Sequence, residues 1–156
     1  MKTLEPILEE HPFFRNLEKC HLELVVGCAA NVRFEAGQFI FREGEPADQF
    51  YLIRQGKVAI EISPPQGEPI IMQTMSEGEI LGWSWLVPPY HWQFDAKAVE
   101  LTRAITLDGK CLRKKCQEDH SLGYELLSRL VPIIGKSMEA ARLQLLDVYG
   151  VKPRAS

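Results

Sequence analysis

Apolar positions recur along this chain in two rhythms. Leu17, Cys20, Leu24, Val25 and Cys28 return at three- and four-residue steps behind Asn16, which predicts a helix with Asn16 as its N-cap. Before it, Leu4 to Glu10 predicts a short helical segment ending at His11-Pro12, because the residue before a proline avoids the helical region. From about residue 30 to residue 108 the rhythm turns strand-like, in the runs Gln38–Arg42, Gln49–Arg54, Val58–Ile62, Ile70–Met75 and Val99–Leu107. Glycines at 37, 44, 56, 67 and 78 punctuate this zone at steps of 7, 12, 11 and 11 residues. Turn signals so spaced predict an all-β sandwich or barrel. In Val58-Ala59-Ile60-Glu61-Ile62 the alternation turns Val58, Ile60 and Ile62 to one face and Ala59 and Glu61 to the other. Ser63-Pro64-Pro65-Gln66-Gly67 reads as an exposed hairpin connection, since neither proline can donate to a ladder.

The helical rhythm then returns. Asp108 is a cap for a short helix through Cys116, and Asp119 or Ser121 for a longer one. In that helix Leu127, Val131, Ile134, Met138, Ala141, Leu145 and Val148 step by 4, 3, 4, 3, 4, 3, an unbroken heptad seam. Leu126, Leu130 and Ile133 widen the apolar face in its first half only. The early turns are therefore expected on the β-domain and the later seam (Val131, Ile134, Met138, Ala141, Leu145, Val148) on a partner helix, most simply a second copy of the chain. The competing reading packs the whole helix on its own domain. Pro132 is expected to kink the helix where the roles change. The chain thus divides into N-terminal helices (1–29), a β-zone (30–108) and C-terminal helices (109–150) within one domain of 156 residues.

Composition narrows the function more than the fold. Lys+Arg 18 against Asp+Glu 21 gives a net charge of −3, without the basic footprint of a nucleic-acid binder. Met1-Lys2-Thr3-Leu4-Glu5 lacks the apolar run of a signal peptide. The stretch from Ile80 to Phe94 is free of Asp, Lys, Arg and Glu, yet is too short and too broken by proline to span a bilayer. A cytoplasmic protein is expected. Cys20, Cys28, Cys111 and Cys116 match no zinc or redox spacing and are expected as free, mostly buried thiols. Nor do His11, His21, His91 and His120 have metal-ligand spacing, and no catalytic set is visible, so neither a metal nor an enzymatic activity is expected. Arg113-Lys114-Lys115 reads as a solvated face.

The stretch from Phe34 to Val58 carries a denser pattern: Phe34-Glu35-Ala36-Gly37, then Gly44-Glu45-Pro46-Ala47-Asp48-Gln49-Phe50-Tyr51, then Gly56-Lys57-Val58. Its glycines, the Ala-Asp before an aromatic strand and the Gly-x-Val turn resemble the cyclic-nucleotide-binding domain, the sensor fold of catabolite-activator-type regulators. The resemblance covers roughly residues 15 to 148 and implies a mainly β fold with flanking helices. That fold is a jelly-roll-like β-roll, or double-stranded β-helix, with N-terminal helices and a long C-terminal helix. It also implies a ligand cassette: Gly-Glu, a strand-to-short-helix turn, and a distal Arg. In the family, backbone N–H groups and that Arg hold the cyclic phosphate and a Glu accepts the ribose hydroxyl.

Here the cassette opens in register with Gly78-Glu79-Ile80-Leu81-Gly82, but Trp83 stands at the ribose Glu, Ser84 follows, and Trp85 stands where the family prefers Ala. Phe94-Asp95-Ala96-Lys97 places Phe94 on the phosphate Arg and Asp95 beside it, with Lys97 as a replacement cation. No Arg lies between Arg54 and Arg103. Trp83, Trp85, Tyr90, Trp92 and Phe94 crowd the site, either as a plug or as the walls of a remodelled pocket for a flat ligand. Pro88-Pro89 is expected to hold this loop extended.

The expected function is a regulatory module with a diverged site, signalling through its C-terminal helix to a protein partner and holding no certain cofactor. The alternatives are a ligand-free interaction module and a true cyclic AMP or cyclic GMP receptor using Ser84 and Lys97. Transcription-factor relatives carry a helix-turn-helix domain beyond the long helix. This chain ends about where that domain would begin and its net charge is acidic, so DNA is not an expected partner, and without a bilayer-spanning stretch neither is a membrane.

Overall fold

The computed structural model describes residues 4–150, so the reading of Met1-Lys2-Thr3 lies outside the described residues. Two short helices, α1 (Glu5–Glu10) and α2 (Lys19–Val26), precede eight strands, and α3 (Gly109–Glu118) and α4 (His120–Val148) follow them. The strands are β1 (Ala29–Phe34), β2 (Phe39–Phe41), β3 (Gln49–Gln55), β4 (Lys57–Ile62), β5 (Ile70–Ser76), β6 (Ile80–Leu81), β7 (Asp95–Ala98) and β8 (Thr102–Asp108). They form two antiparallel four-stranded sheets, β1-β8-β3-β6 and β2-β7-β4-β5. This is the mainly β roll with flanking helices.

One core lies between the sheets, around Phe41, Tyr51, Ile53, Val58, Leu81, Phe94 and Ala96. The other lies between the β1-β8-β3-β6 sheet and the helices, where Phe14, Leu22, Val25, Phe50, Leu52, Leu112, Leu122 and Leu126 meet. Gly56 alone separates β3 from β4 at φ 111°, and a Cβ there would lie 2.6 Å from the Leu101 carbonyl oxygen. No larger residue fits that crossing.

Several local expectations change. Asn16 sits at φ 67°, outside the helix, and Glu18 is the N-cap of α2. The run Val99–Leu107 is broken by a bend after β7. In β4, Ala59 is buried as deeply as Val58 and Ile60, while Ile62 is exposed, because β4 lies between β5 and β7 and loses cover only at its end. The Pro88–Pro89 peptide is cis and lies in a turn instead of an extended segment.

Cys28 and Cys111 are not free thiols but are joined in a disulfide, with Cα atoms 6.0 Å apart. Cys20 is exposed and Cys116 half-buried. The basic run is not simply solvated either. Arg113 donates to the Trp85 carbonyl and lies 4.2 Å over the Tyr90 ring, and Lys115 Nζ donates to the Leu24 carbonyl at 2.7 Å.

Helix α4 departs most from expectation. Leu122, Leu126 and Leu130 are buried, Ile133, Ser137, Ala140 and Gln144 continue the same face half-buried, and Gln144 Nε2 donates to the Ile71 carbonyl at 2.7 Å. One face therefore lies on the roll along most of the helix, not in its first half alone. The heptad seam occupies another face, with Leu127, Val131, Met138, Leu145 and Val148 exposed. Pro132 lies on the exposed side inside one unbroken helix. Asp108 and Asp119 cap α3 and α4 by accepting from Cys111 N and Leu122 N.

Candidate functional site

The cassette begins at a turn that Glu79 holds. Its Oε1 accepts from both Ser76 N and Ser76 Oγ at 3.1 Å, which ties β5 to β6. Strand β6 then delivers Gly82 at φ 96°, and a 3-10 turn, Ser84–Leu86, follows. The Trp92 ring fills the space beside Gly82 and stacks on Phe41 with centroids 3.7 Å apart. Backbone bonds from Gly44 N to Trp92 O and from Trp92 N to Glu45 O hold the returning loop against the β2–β3 turn.

Of the sequence-predicted residues, the structure brings together Gly82, Trp83 and Phe94. They line one small cavity with Ile60, Met75, Ile133 and Ser137, so β4, β5 and α4 form its other walls. Trp83 meets Phe94 edge to face, with centroids 6.4 Å apart, and the space left is about 10 Å³. That is room for roughly one water molecule. Trp83 Nε1 and Ser84 Oγ are buried without hydrogen-bond partners.

The other predicted residues lie elsewhere. Trp85 is not a pocket residue: it is 0% exposed and stacks on Phe50 at 4.3 Å, in the core beneath the helices. Lys97 alternates with Ala96 and Ala98 along β7 and is out of step with Phe94 just before the strand, so it faces away from the cavity, and its Nζ lies 5.4 Å over the Phe39 ring. It does not stand in for the missing Arg. Asp95 is buried but satisfied, with Oδ1 accepting from Glu43 N at 2.8 Å and Oδ2 from Ser63 Oγ at 3.2 Å. Both of its oxygens are thus taken up by backbone and side chain outside the cavity. Gly78 and Glu79 border a separate cleft of about 280 Å³ with Pro12, Phe13, Arg129 and Lys136.

Sequence reasoning missed three contributors to this region. Ile133 and Ser137 reach the cavity from α4, and Arg113 fastens the cassette's 3-10 turn to α3. The i, i+4 spacing of Ile133 and Ser137 on the roll-facing side of α4 was the available signal.

A sequence profile described as the cyclic nucleotide-binding domain matches residues 31–119. The CRP-like cAMP-activated global transcriptional regulator of Mycobacterium tuberculosis is 26% identical over 124 residues, which is 80% of this chain and 55% of that protein. The chain thus spans about half the length of that relative. The crystal structure of a Geobacter metallireducens protein assigned as cyclic nucleotide-binding matches at TM-score 0.77 and 25% identity, over 88% of this chain and 99% of that one. The regulatory subunit of a cAMP-independent protein kinase A from Trypanosoma brucei shares the fold, at TM-score 0.68 and 17% identity over 88% of this chain and 46% of that one. Among the described residues no helix is long and apolar enough to cross a membrane.

Proposed function

Because the chain belongs to the cyclic nucleotide-binding domain family, its site is judged by what that family's chemistry requires, and we propose a regulatory module whose nucleotide site is closed by its own aromatic rings. Its output runs through the outward face of α4. A regulator named as cAMP-activated and a kinase subunit named as cAMP-independent both resemble this chain, so the fold leaves the ligand open and the pocket decides it.

The observation that carries the reading is the cavity of about 10 Å³ between Trp83 and Phe94. A cyclic phosphate needs space and a charge-assisted donor, and an aromatic ring at position 94 supplies neither. The exposed seam of α4 supports a homodimer as the second half of the reading. From Leu127 to Val148 it runs for about 32 Å of helix, and its heptad step suits a left-handed pair of helices.

Isothermal titration of the full chain with cyclic AMP and with cyclic GMP tests the closed site. No saturable heat is expected up to about 1 mM nucleotide, and a dissociation constant in the micromolar range overturns the proposal. One observation favours a second reading. The unpartnered Trp83 Nε1 and Ser84 Oγ suit a site that opens when Trp83 swings outward around a polar ligand. Saturable binding of either nucleotide selects that reading.

A further inference from the structure

The entrance to α2 holds a group of side chains that the nucleotide site does not use. His21 is only 5% exposed, yet neither of its ring nitrogens makes a hydrogen bond: Nδ1 is buried without a partner, and Nε2 is 3.6 Å from Asp119 Oδ2. A buried imidazole with one ring nitrogen unpartnered needs an explanation. Its surroundings offer one, because donor atoms of Glu18, Cys20 and His21 all lie within 4.8 Å of one another.

Glu18 adds an independent sign. It occupies the N-cap position of α2, but its side chain caps no backbone N–H. Instead its Oε2 accepts from the Cys20 thiol at 3.6 Å, so the carboxylate is turned toward the same point as the sulfur. The group opens to solvent through Glu18 and Cys20, which are both exposed, while His21 forms its floor.

We propose that Glu18, Cys20 and His21 form a binding site for a borderline divalent cation of the zinc class, with Asp119 as the carboxylate beside the imidazole. Thiolate sulfur, imidazole nitrogen and carboxylate oxygen together are the donor set such ions prefer, whereas calcium and magnesium take oxygen alone. Binding releases the thiol proton to solvent, and the thiolate, Glu18 and Asp119 then offset the charge of the ion. Lys19 and the N-terminal ends of α2 and α4 oppose a cation here. Those contributions act at an exposed edge and are screened, while coordination acts at bonding distance. The ion would join the start of α2 to the start of α4 through His21 and Asp119.

The test is a cobalt titration of the full chain after treatment with a chelator. One equivalent of cobalt is expected to give a thiolate-to-cobalt charge-transfer band, and equimolar zinc is expected to abolish it. Cys20→Ser should remove the band, and Cys116→Ser, which alters the other free thiol, should leave it intact. Glu18→Gln, on the exposed side, should weaken binding about tenfold or more without unfolding the chain. A zinc-dependent rise in melting temperature should be present in the unsubstituted chain and absent in Cys20→Ser. The proposal is overturned by the lack of a charge-transfer band, by a band that survives Cys20→Ser, or by one that depends on Cys116.

Discussion

Trp83 meets Phe94 edge to face across 6.4 Å, and the two rings stand at the positions where the family resemblance puts the ribose acceptor and the phosphate donor. Their contact leaves a space of about 10 Å³ between the two ends of the cassette. Ile133 and Ser137 line the same space from α4.

The double substitution Trp83→Glu with Phe94→Arg removes both rings and restores both polar partners. Each charge-assisted hydrogen bond contributes about 1.5–3 kcal/mol, or roughly 10- to 100-fold in affinity. Calorimetric titration should therefore show a gain of about 100-fold or more for cyclic AMP or cyclic GMP over the unsubstituted chain. A folded double variant that gains nothing would mean that the rings are not what bars the nucleotide.

Gly82→Ala should destabilise the roll. A Cβ at this position would lie 2.5 Å from Trp92 Cη2, and φ is 96°. The Trp92 ring cannot retreat easily, because Phe41 stacks against it at 3.7 Å. A loss of about 1–3 kcal/mol is expected in urea unfolding.

Charging the outward seam should separate the proposed dimer without harming the roll. Met138, at 70% exposure, and Leu145, at 57%, touch little of their own domain. Met138→Glu combined with Leu145→Glu is expected to give a monomer in sedimentation velocity while the far-ultraviolet circular dichroism stays unchanged. Leu126→Glu, on the buried face, should instead unfold the chain, since it places an unpaired charge in the core.

Stability should fall below neutral pH through His11. Burial holds its pKa below the ordinary 6.5, a backbone contact with Ile53 partly opposes the shift, and Arg15 adds to it. The unfolded chain therefore takes up a proton at a higher pH than the folded one. The contribution is complete above 6.5 and is lost as pH falls from there through the folded pKa. Melting temperatures from about pH 8 to about pH 5 should decline less steeply in His11→Asn, whose amide oxygen can replace Nδ1 as acceptor for Phe13 N. An equal slope in both chains would remove His11 from the account.

The roll was legible because its information is local. Glycines at the spaced turns and β-branched runs between them fix the strands pair by pair. What escaped the sequence depends on contacts between distant segments. Cys28 and Cys111 are 83 residues apart, and only the β1–β8 ladder, which begins at Ala29 opposite Leu107, brings the first turn of α3 over the start of β1. Trp85 is expected in the pocket with its neighbours because nothing in the sequence pattern separates it from Trp83. The 3-10 turn does so, sending one ring toward Phe94 and the other to Phe50. Lys97 departs from expectation for the opposite reason. The alternation of β7 was available, and counting three residues from Phe94 would have put it on the far side of the strand.

Helix α4 is one continuous helix shared by two surfaces. Ile133 and Ser137 wall the closed cavity, and on the same turns Val131 and Met138 face outward. On the proposed function, a change of side-chain volume behind the wall is expected to reach the outward stripe, because both faces share one helical backbone. On the proposed function, the rings packed behind Ile133 and Ser137 set how far the outer face stands above the roll.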